Sequence, residues 1–193
     1  MPGFLRFVGL FNAAVWVGGS IFFSFLAAPM FFTSEVTAFV PKPTNGLVAQ
    51  AMLGRYFMLH IICGTIASLH LLIEWLYSGG GFPKRAIAIV CVLCGLALFG
   101  GKFINPRLTV WHQQKHQFQL KSDGGLTMIE KTELEADVVQ NAERKFAIWH
   151  GVSQIMNLAM MILLIWRFWH LTQLNRQDSL ITFGQQKRNL FAK

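Results

Sequence analysis

Residues 146–169 read FAIWHGVSQIMNLAMMILLIWRFW, a stretch of 24 residues whose single formal charge is that of Arg167. A helix needs about 20 apolar residues to cross the hydrocarbon core of a bilayer. Three further runs of this kind precede it, at residues 4–32, 52–77 and 86–104. Lipid offers backbone groups no hydrogen-bond partner, and none of the runs alternates in the manner of a barrel strand. All four are therefore predicted to be transmembrane helices.

The composition supports a membrane protein, because 53% of the residues are hydrophobic and only 13% are charged. The first run is too long for the apolar core of a signal peptide, about 7–15 residues, so it is predicted to be a retained span. Four spans place both termini on the same side. The predicted fold is an all-α, integral-membrane, up-down-up-down four-helix bundle, built as a single domain over residues 1–193.

The connection between the third and fourth spans, residues 105–145, is long and polar. An apolar stripe on each half predicts two helical arms that continue the spans, with a turn at Ser122-Asp123-Gly124-Gly125. We expect a helical hairpin that projects beyond the membrane. The basic tail, residues 171–193, is predicted to lie on an anionic membrane surface.

The net charge of +8 has a topological explanation, which removes the need for a nucleic-acid partner. The side that carries the termini has a net charge of +6, and the opposite side +2. The short loop at residues 79–85 ends in Lys84 and Arg85. Basic residues near span ends favour the cytoplasm, so both termini are predicted to be cytoplasmic.

Several motifs together resemble a known family. They are FNAAVWVGGS at residues 11–20, YFMLH at residues 56–60, Asn105-Pro106-Arg107, His150-Gly151-Val152-Ser153 and Asn157-Leu158. Across nearly the whole chain these resemble the transmembrane protein 205 family and its bacterial relatives, four-helix membrane proteins of poorly defined function. The helix count and the membrane histidines also resemble, more loosely, the copper-resistance D and HemJ-type proteins, the latter linked to haem b. The resemblance implies the fold and a bacterial inner-membrane location, but no reaction.

Polar residues in lipid are costly and mark a site or a structural contact. His150, Ser153 and Asn157 lie at i, i+3 and i+7, and so share one face of the fourth span. His60 lies in the second span, and we expect it at a depth similar to that of His150.

Three interpretations of these residues stay open. In the first, His60 and His150 ligate haem b or a metal, and Arg55 and Arg107 pair with the haem propionates. In the second, the histidines, Ser153 and Asn157 form hydrogen bonds between helices and bind nothing. In the third, the polar face of the fourth span lines a pocket for a lipid or pigment that a larger complex supplies.

The predicted hairpin contains a possible metal site. His112 and His116 lie at i and i+4 on one arm, and Glu133 and Asp137 have the same spacing on the other. Two imidazoles and two carboxylates suit zinc or another divalent metal. The alternative is a solvated face with loose ion pairs.

No serine or cysteine has an evident base and orienting group, and no phosphate-binding loop is present, which argues against an enzyme. Three functions remain. The first is a non-catalytic membrane component or accessory subunit, in contact with lipid and with other membrane proteins. The second is a haem- or metal-binding redox protein. The third, a small transporter, is the weakest. Broken spans would be expected for it, and the prolines that mark helices, Pro29 and Pro106, lie near span ends.

Overall fold

The structure, a computed structural model, describes residues 2–40, 44–78, 83–116, 118–120, 126–128 and 136–191. Its elements in chain order are α1 (Pro2–Phe22), a π-helical turn (Phe23–Ala27), α2 (Ala28–Met30), α3 (Ser34–Phe39), α4 (Thr44–Ser78), α5 (Lys84–Phe99), a second π-helical turn (Gly100–Ile104), α6 (Asn105–His116), β1 (Phe118–Leu120), β2 (Leu126–Met128) and α7 (Ala136–Phe191).

Four helical stretches in the described residues are long and apolar enough to cross a membrane. They are Gly3–Met30, Thr44–Tyr77, Lys84–His116 and Ala136–Gln173, called here the first to fourth spans. Large apolar side chains cover their outer surface; Phe4, for example, is 75% exposed and Ile155 is 72% exposed. Such a surface suits lipid rather than water. The predicted all-α integral-membrane bundle is therefore confirmed, and so is its contact with lipid.

The spans are arranged as a ring in which each helix packs against its sequence neighbours. The first and third spans both pack against the second and the fourth. The second and fourth spans therefore lie across the bundle from each other and run in the same direction. This geometry decides which polar residues can meet in the interior.

Glycines allow the second and third spans to approach closely. A Cβ atom on Gly64 would collide with the sulfur of Cys94, and one on Gly46 with the ring of His112. Between these two points, Phe57 packs on Gly100. These contacts set an antiparallel register along the whole interface, as small residues do in other membrane bundles.

Each π-helical turn ends two residues before a proline. Pro29 and Pro106 lack an N–H group, and their rings clash with the carbonyl four residues earlier, which lies within the turn in both cases. In each turn the backbone hydrogen bonds join residues five apart instead of four, so the helix continues without a break. Both spans therefore continue past the proline, and the first turn brings Phe23 and Ser24 to the interior cavity described below.

The projecting hairpin has helical arms, as expected, but a different tip. The third span continues as α6 to His116, and α7 begins at Ala136. Between them, β1 and β2 pair as an antiparallel ribbon, with Phe118 opposite Met128. The ribbon adds two short strands to the predicted helical hairpin. The predicted turn at residues 122–125 lies outside the described residues.

Replacing Gly100 with alanine should destabilise the bundle. The new methyl group would meet the buried ring of Phe57 and the end of Met156, and overpacking of this kind costs roughly 1–3 kcal/mol. Gly95→Ala, in the same span, is the matched control. Among the described residues, no atom beyond its own helix backbone and chain neighbours lies within 4 Å of its Cβ position. Thermal unfolding in detergent measures the difference. Equal melting temperatures for the two variants would contradict the close contact.

Candidate functional site

A cavity of about 440 Å³ lies at the end of the bundle from which the hairpin projects. It is enclosed by the first π-helical turn, the start of α4, the arm α6 and the part of α7 that faces it. Its chief lining side chains are of three kinds: aromatic rings, amides with hydroxyls, and a lysine with imidazoles. The chief lining residues are Phe23, Phe31, Phe32 and Phe146; Ser24, Asn45, Gln50, Ser153, Gln154 and Asn157; and His112, Lys115, His116 and His150.

The second span forms one wall of the cavity and is held in place by its own amides. The side chain of Asn45 donates to the carbonyl of Phe31 (3.2 Å), and that of Gln50 donates to the carbonyl of Leu108 (3.4 Å). The other side-chain atom of Gln50, Oε1, is buried and accepts no hydrogen bond from the described residues.

A hydrogen-bonded chain crosses the bundle at the inner end of the cavity. The Tyr56 hydroxyl donates to Oδ1 of Asn157 (2.5 Å), and Nδ2 of Asn157 donates to Oγ of Ser24 (2.8 Å). The Phe23 ring stacks on Tyr56 with a centroid separation of 4.3 Å. Three spans are thereby joined through side chains. Asn157, predicted as a site residue, lies at the centre of this chain.

His60 lies deeper in the bundle and does not line the cavity. It is completely buried, and its Nδ1 accepts a hydrogen bond from the Trp16 indole at 2.6 Å. An indole N–H is only a donor, so Nδ1 carries no proton and the neutral ring is protonated at Nε2. That nitrogen has no hydrogen-bond partner among the described residues. The Tyr56 ring is perpendicular to the His60 ring, with centroids 4.5 Å apart.

His150 lies at the cavity wall, where its ring stacks on Phe146 with an interplanar angle of 6°. Its Nε2 is hydrogen bonded to the Gln154 amide at 3.1 Å. Ser153, one turn further along α7, is buried and also lines the cavity. The three residues of this polar face therefore line one cavity, with Ser153 buried and His150 exposed.

His60 and His150 do not lie at a similar depth, contrary to expectation. The Tyr56–Asn157 hydrogen bond aligns the two spans, and from it His60 and His150 lie in opposite directions. They differ by eleven residues, or about 16 Å along the bundle at 1.5 Å per residue. The expectation assumed antiparallel neighbours, whereas the second and fourth spans are parallel and diagonal.

This arrangement does not suit haem held between these two histidines. Imidazole–metal bonds are about 2 Å long, so axial ligands must approach within a few ångströms of each other. In addition, the protonated Nε2 of His60 offers no lone pair. Arg55 is exposed, and Arg107 lies over the Trp149 ring at 5.8 Å, so neither is directed towards His60.

The hairpin residues are brought together only in part. His112 and His116 both line the cavity, with ring centroids 4.6 Å apart, and Asp137 is exposed in the first turn of α7. Glu133 lies outside the described residues. Among the residues described, no group of three or more metal-ligating side chains is present. The four-ligand metal site therefore stays a prediction.

Sequence reasoning did not select Trp16, Tyr56 or Ser24 as site residues. The sequence did contain a signal for Trp16. Asn12, Trp16 and Ser20 lie at i, i+4 and i+8 and so form a single polar face of the first span. No pattern in the sequence pairs Tyr56 with Asn157, because that contact depends on the diagonal placement of two distant spans.

Tyr56→Phe should lower the stability of the bundle by a small amount. Hydrogen bonds between helices in membranes average about 0.6 kcal/mol, and this change also leaves Oδ1 of Asn157 without its donor. The other tyrosine of the chain, Tyr77, is 79% exposed, which makes Tyr77→Phe the control. Thermal unfolding compares Tyr56→Phe with this control. The coupling energy of the pair follows from Tyr56→Phe, Asn157→Ala and the double variant. A coupling energy of zero would argue against the bond.

Comparison with known proteins identifies a family without a known activity. No curated protein and no solved structure matches the chain. The family described as "Domain of unknown function (DUF4149)" matches residues 11–117, from within the first span to the end of the arm α6. Because the match covers more than half of the 193 residues, the chain belongs to the DUF4149 family.

Proposed function

We propose that this protein is a non-catalytic membrane component that binds a small amphiphilic molecule with an anionic group in the hairpin-side cavity. The observation that carries the proposal is the charge of the lining. Lys115 and the three histidines, 112, 116 and 150, line the cavity, and no aspartate or glutamate stands among its described lining residues. A site of this composition favours a carboxylate or a phosphate.

Lys115 can exchange its present ion-pair partner for an anionic ligand. Its Nζ lies 3.1 Å from the Glu143 carboxylate, which is 61% exposed and outside the cavity lining. Exposed ion pairs contribute about 0–1 kcal/mol, so an anionic ligand can replace Glu143 at little cost.

The remaining lining suits the rest of an amphiphile. Phe23, Phe31, Phe32 and Phe146 supply apolar surface, and Gln50 has an acceptor atom that a ligand hydroxyl would satisfy. The volume lies within the range of about 300–1,000 Å³ typical of small-molecule sites. It suits a ligand smaller than a complete phospholipid.

Binding is favoured over transport or redox chemistry. Beyond the cavity floor the interior is filled by fully buried side chains, among them Trp16, Leu93 and Met160. A transporter would need a path through this layer. The haem alternative lacks a paired ligand geometry at His60 and His150, as described above.

The proposal also covers the membrane in which the protein lies, its topology and its role in a larger complex. We place the protein in a bacterial inner membrane as one four-span domain, with cytoplasmic termini and a cavity that opens on the opposite side. An accessory role in a larger complex follows from a site that binds without evident catalytic groups. The resemblance to the transmembrane protein 205 family stays a prediction.

Ligand binding should raise the melting temperature. We expect dodecanoate to stabilise the purified protein and dodecanol, the uncharged analogue of equal chain length, to have little effect. Lys115→Gln should remove most of the stabilisation by dodecanoate. Lys145→Gln is the control, since Lys145 is exposed on the other arm of the hairpin, in α7, and does not line the cavity. Equal stabilisation by both compounds, or equal loss in both variants, would contradict an anion-selective site.

The orientation is tested separately with reporter fusions. An alkaline phosphatase reporter, active only outside the cytoplasm, should be inactive after Lys193 and active when inserted at Gly124. A green fluorescent protein reporter should give the opposite result. An active phosphatase at Lys193 would reverse the proposed topology and move the cavity to the cytoplasmic side.

A further inference from the structure

A second cavity, of about 280 Å³, lies at the opposite end of the bundle, where the second span ends and the third begins. Its polar lining consists of Arg85, Arg167, His170 and Glu74. Two tryptophans, Trp75 and Trp166, complete the wall.

Arg167 is the unusual member of this lining. Its side chain is only 5% exposed, although it carries a permanent charge at the end of a membrane span. Its Nε is buried and forms no hydrogen bond with any described residue. A buried cation with an unsatisfied hydrogen-bond donor is costly unless an anion or another acceptor pairs with it.

The described residues supply little negative charge to balance the buried Arg167 cation. Glu74 is the acidic residue of the lining, and its charge acts on Arg167. Its side chain is 49% exposed, and its carboxylate also lies 3.9 Å from Nδ1 of His70. With Arg85 at the same cavity, the two arginines outnumber the single carboxylate, and the lining keeps a net positive charge.

The tryptophans place this cavity at the level of lipid headgroups. Trp75 is 36% exposed and Trp166 is 47% exposed, so both rings face partly outward. Tryptophan is enriched where the hydrocarbon core meets water, because its ring is apolar and its N–H is a donor. A lipid phosphate lies at this same depth.

We propose that the terminal-side cavity binds the phosphate of an anionic phospholipid, with Arg167 and Arg85 as its ligands. A guanidinium offers planar paired donors that match a phosphate. The cavity holds the headgroup, and the acyl chains stay in the bilayer outside the bundle. This site does not depend on the hairpin-side cavity or on its ligand.

Native mass spectrometry of the whole protein tests the proposal. Protein released from nanodiscs of mixed phosphatidylglycerol and phosphatidylcholine should retain phosphatidylglycerol preferentially. Arg167→Gln should weaken this retention about tenfold or more, since hydrogen bonds to charged groups contribute about 1.5–3 kcal/mol. Arg144→Gln, an exposed arginine on the hairpin arm, is the matched control and should retain the lipid.

A second arginine variant and inorganic phosphate, as a second probe, provide independent tests of the site. If Arg167→Gln does not fold, Arg85→Gln at the same cavity should still weaken lipid retention relative to Arg144→Gln. Retention of both lipids to the same extent would overturn the proposal. So would displacement of the bound lipid by inorganic phosphate alone, because the cavity would then be a site for the free ion.

Discussion

The close antiparallel contact between the second and third spans is the constraint on which the rest of the structure depends. Glycine at residues 46, 64 and 100 removes the side chains that would keep the two helices apart. In lipid, packing of this kind must supply what the hydrophobic effect supplies between helices in water. The register that results determines which face of the second span points to the first and fourth spans.

The polar interior follows from that register. With the second span fixed, Tyr56 reaches Asn157 across the bundle, and Trp16 meets His60. Each of these groups would be costly alone in hydrocarbon, and each finds its partner on another helix. The hydrogen bonds therefore select one arrangement of the four spans, whereas apolar packing by itself would permit several.

The two cavities have a common physical origin. Each lies at an end of the bundle, where the connecting segments begin, and each carries more positive than negative charge in its described lining. They differ in their apolar surface, since phenylalanines line one and tryptophans the other. The first is a site for a small amphiphile and the second for a headgroup at the membrane surface. The family itself has no established activity, so both assignments rest on this geometry.

The sequence by itself determined the four spans and the all-α class, because apolar runs of this length need internal backbone hydrogen bonds in lipid and lack the alternation of barrel strands. The helical arms of the hairpin followed from the apolar stripe on each half. It also placed His150, Ser153 and Asn157 on one face of the fourth span, which lines a cavity. Only the tertiary structure decided that the second and fourth spans are diagonal and parallel, which separates His60 from His150 and joins Tyr56 to Asn157. Local periodicity reports which face of a helix is polar, but the depth at which two faces meet depends on how distant helices pack. For the same reason the burial of Arg167 at a cavity was not evident from its position in the chain.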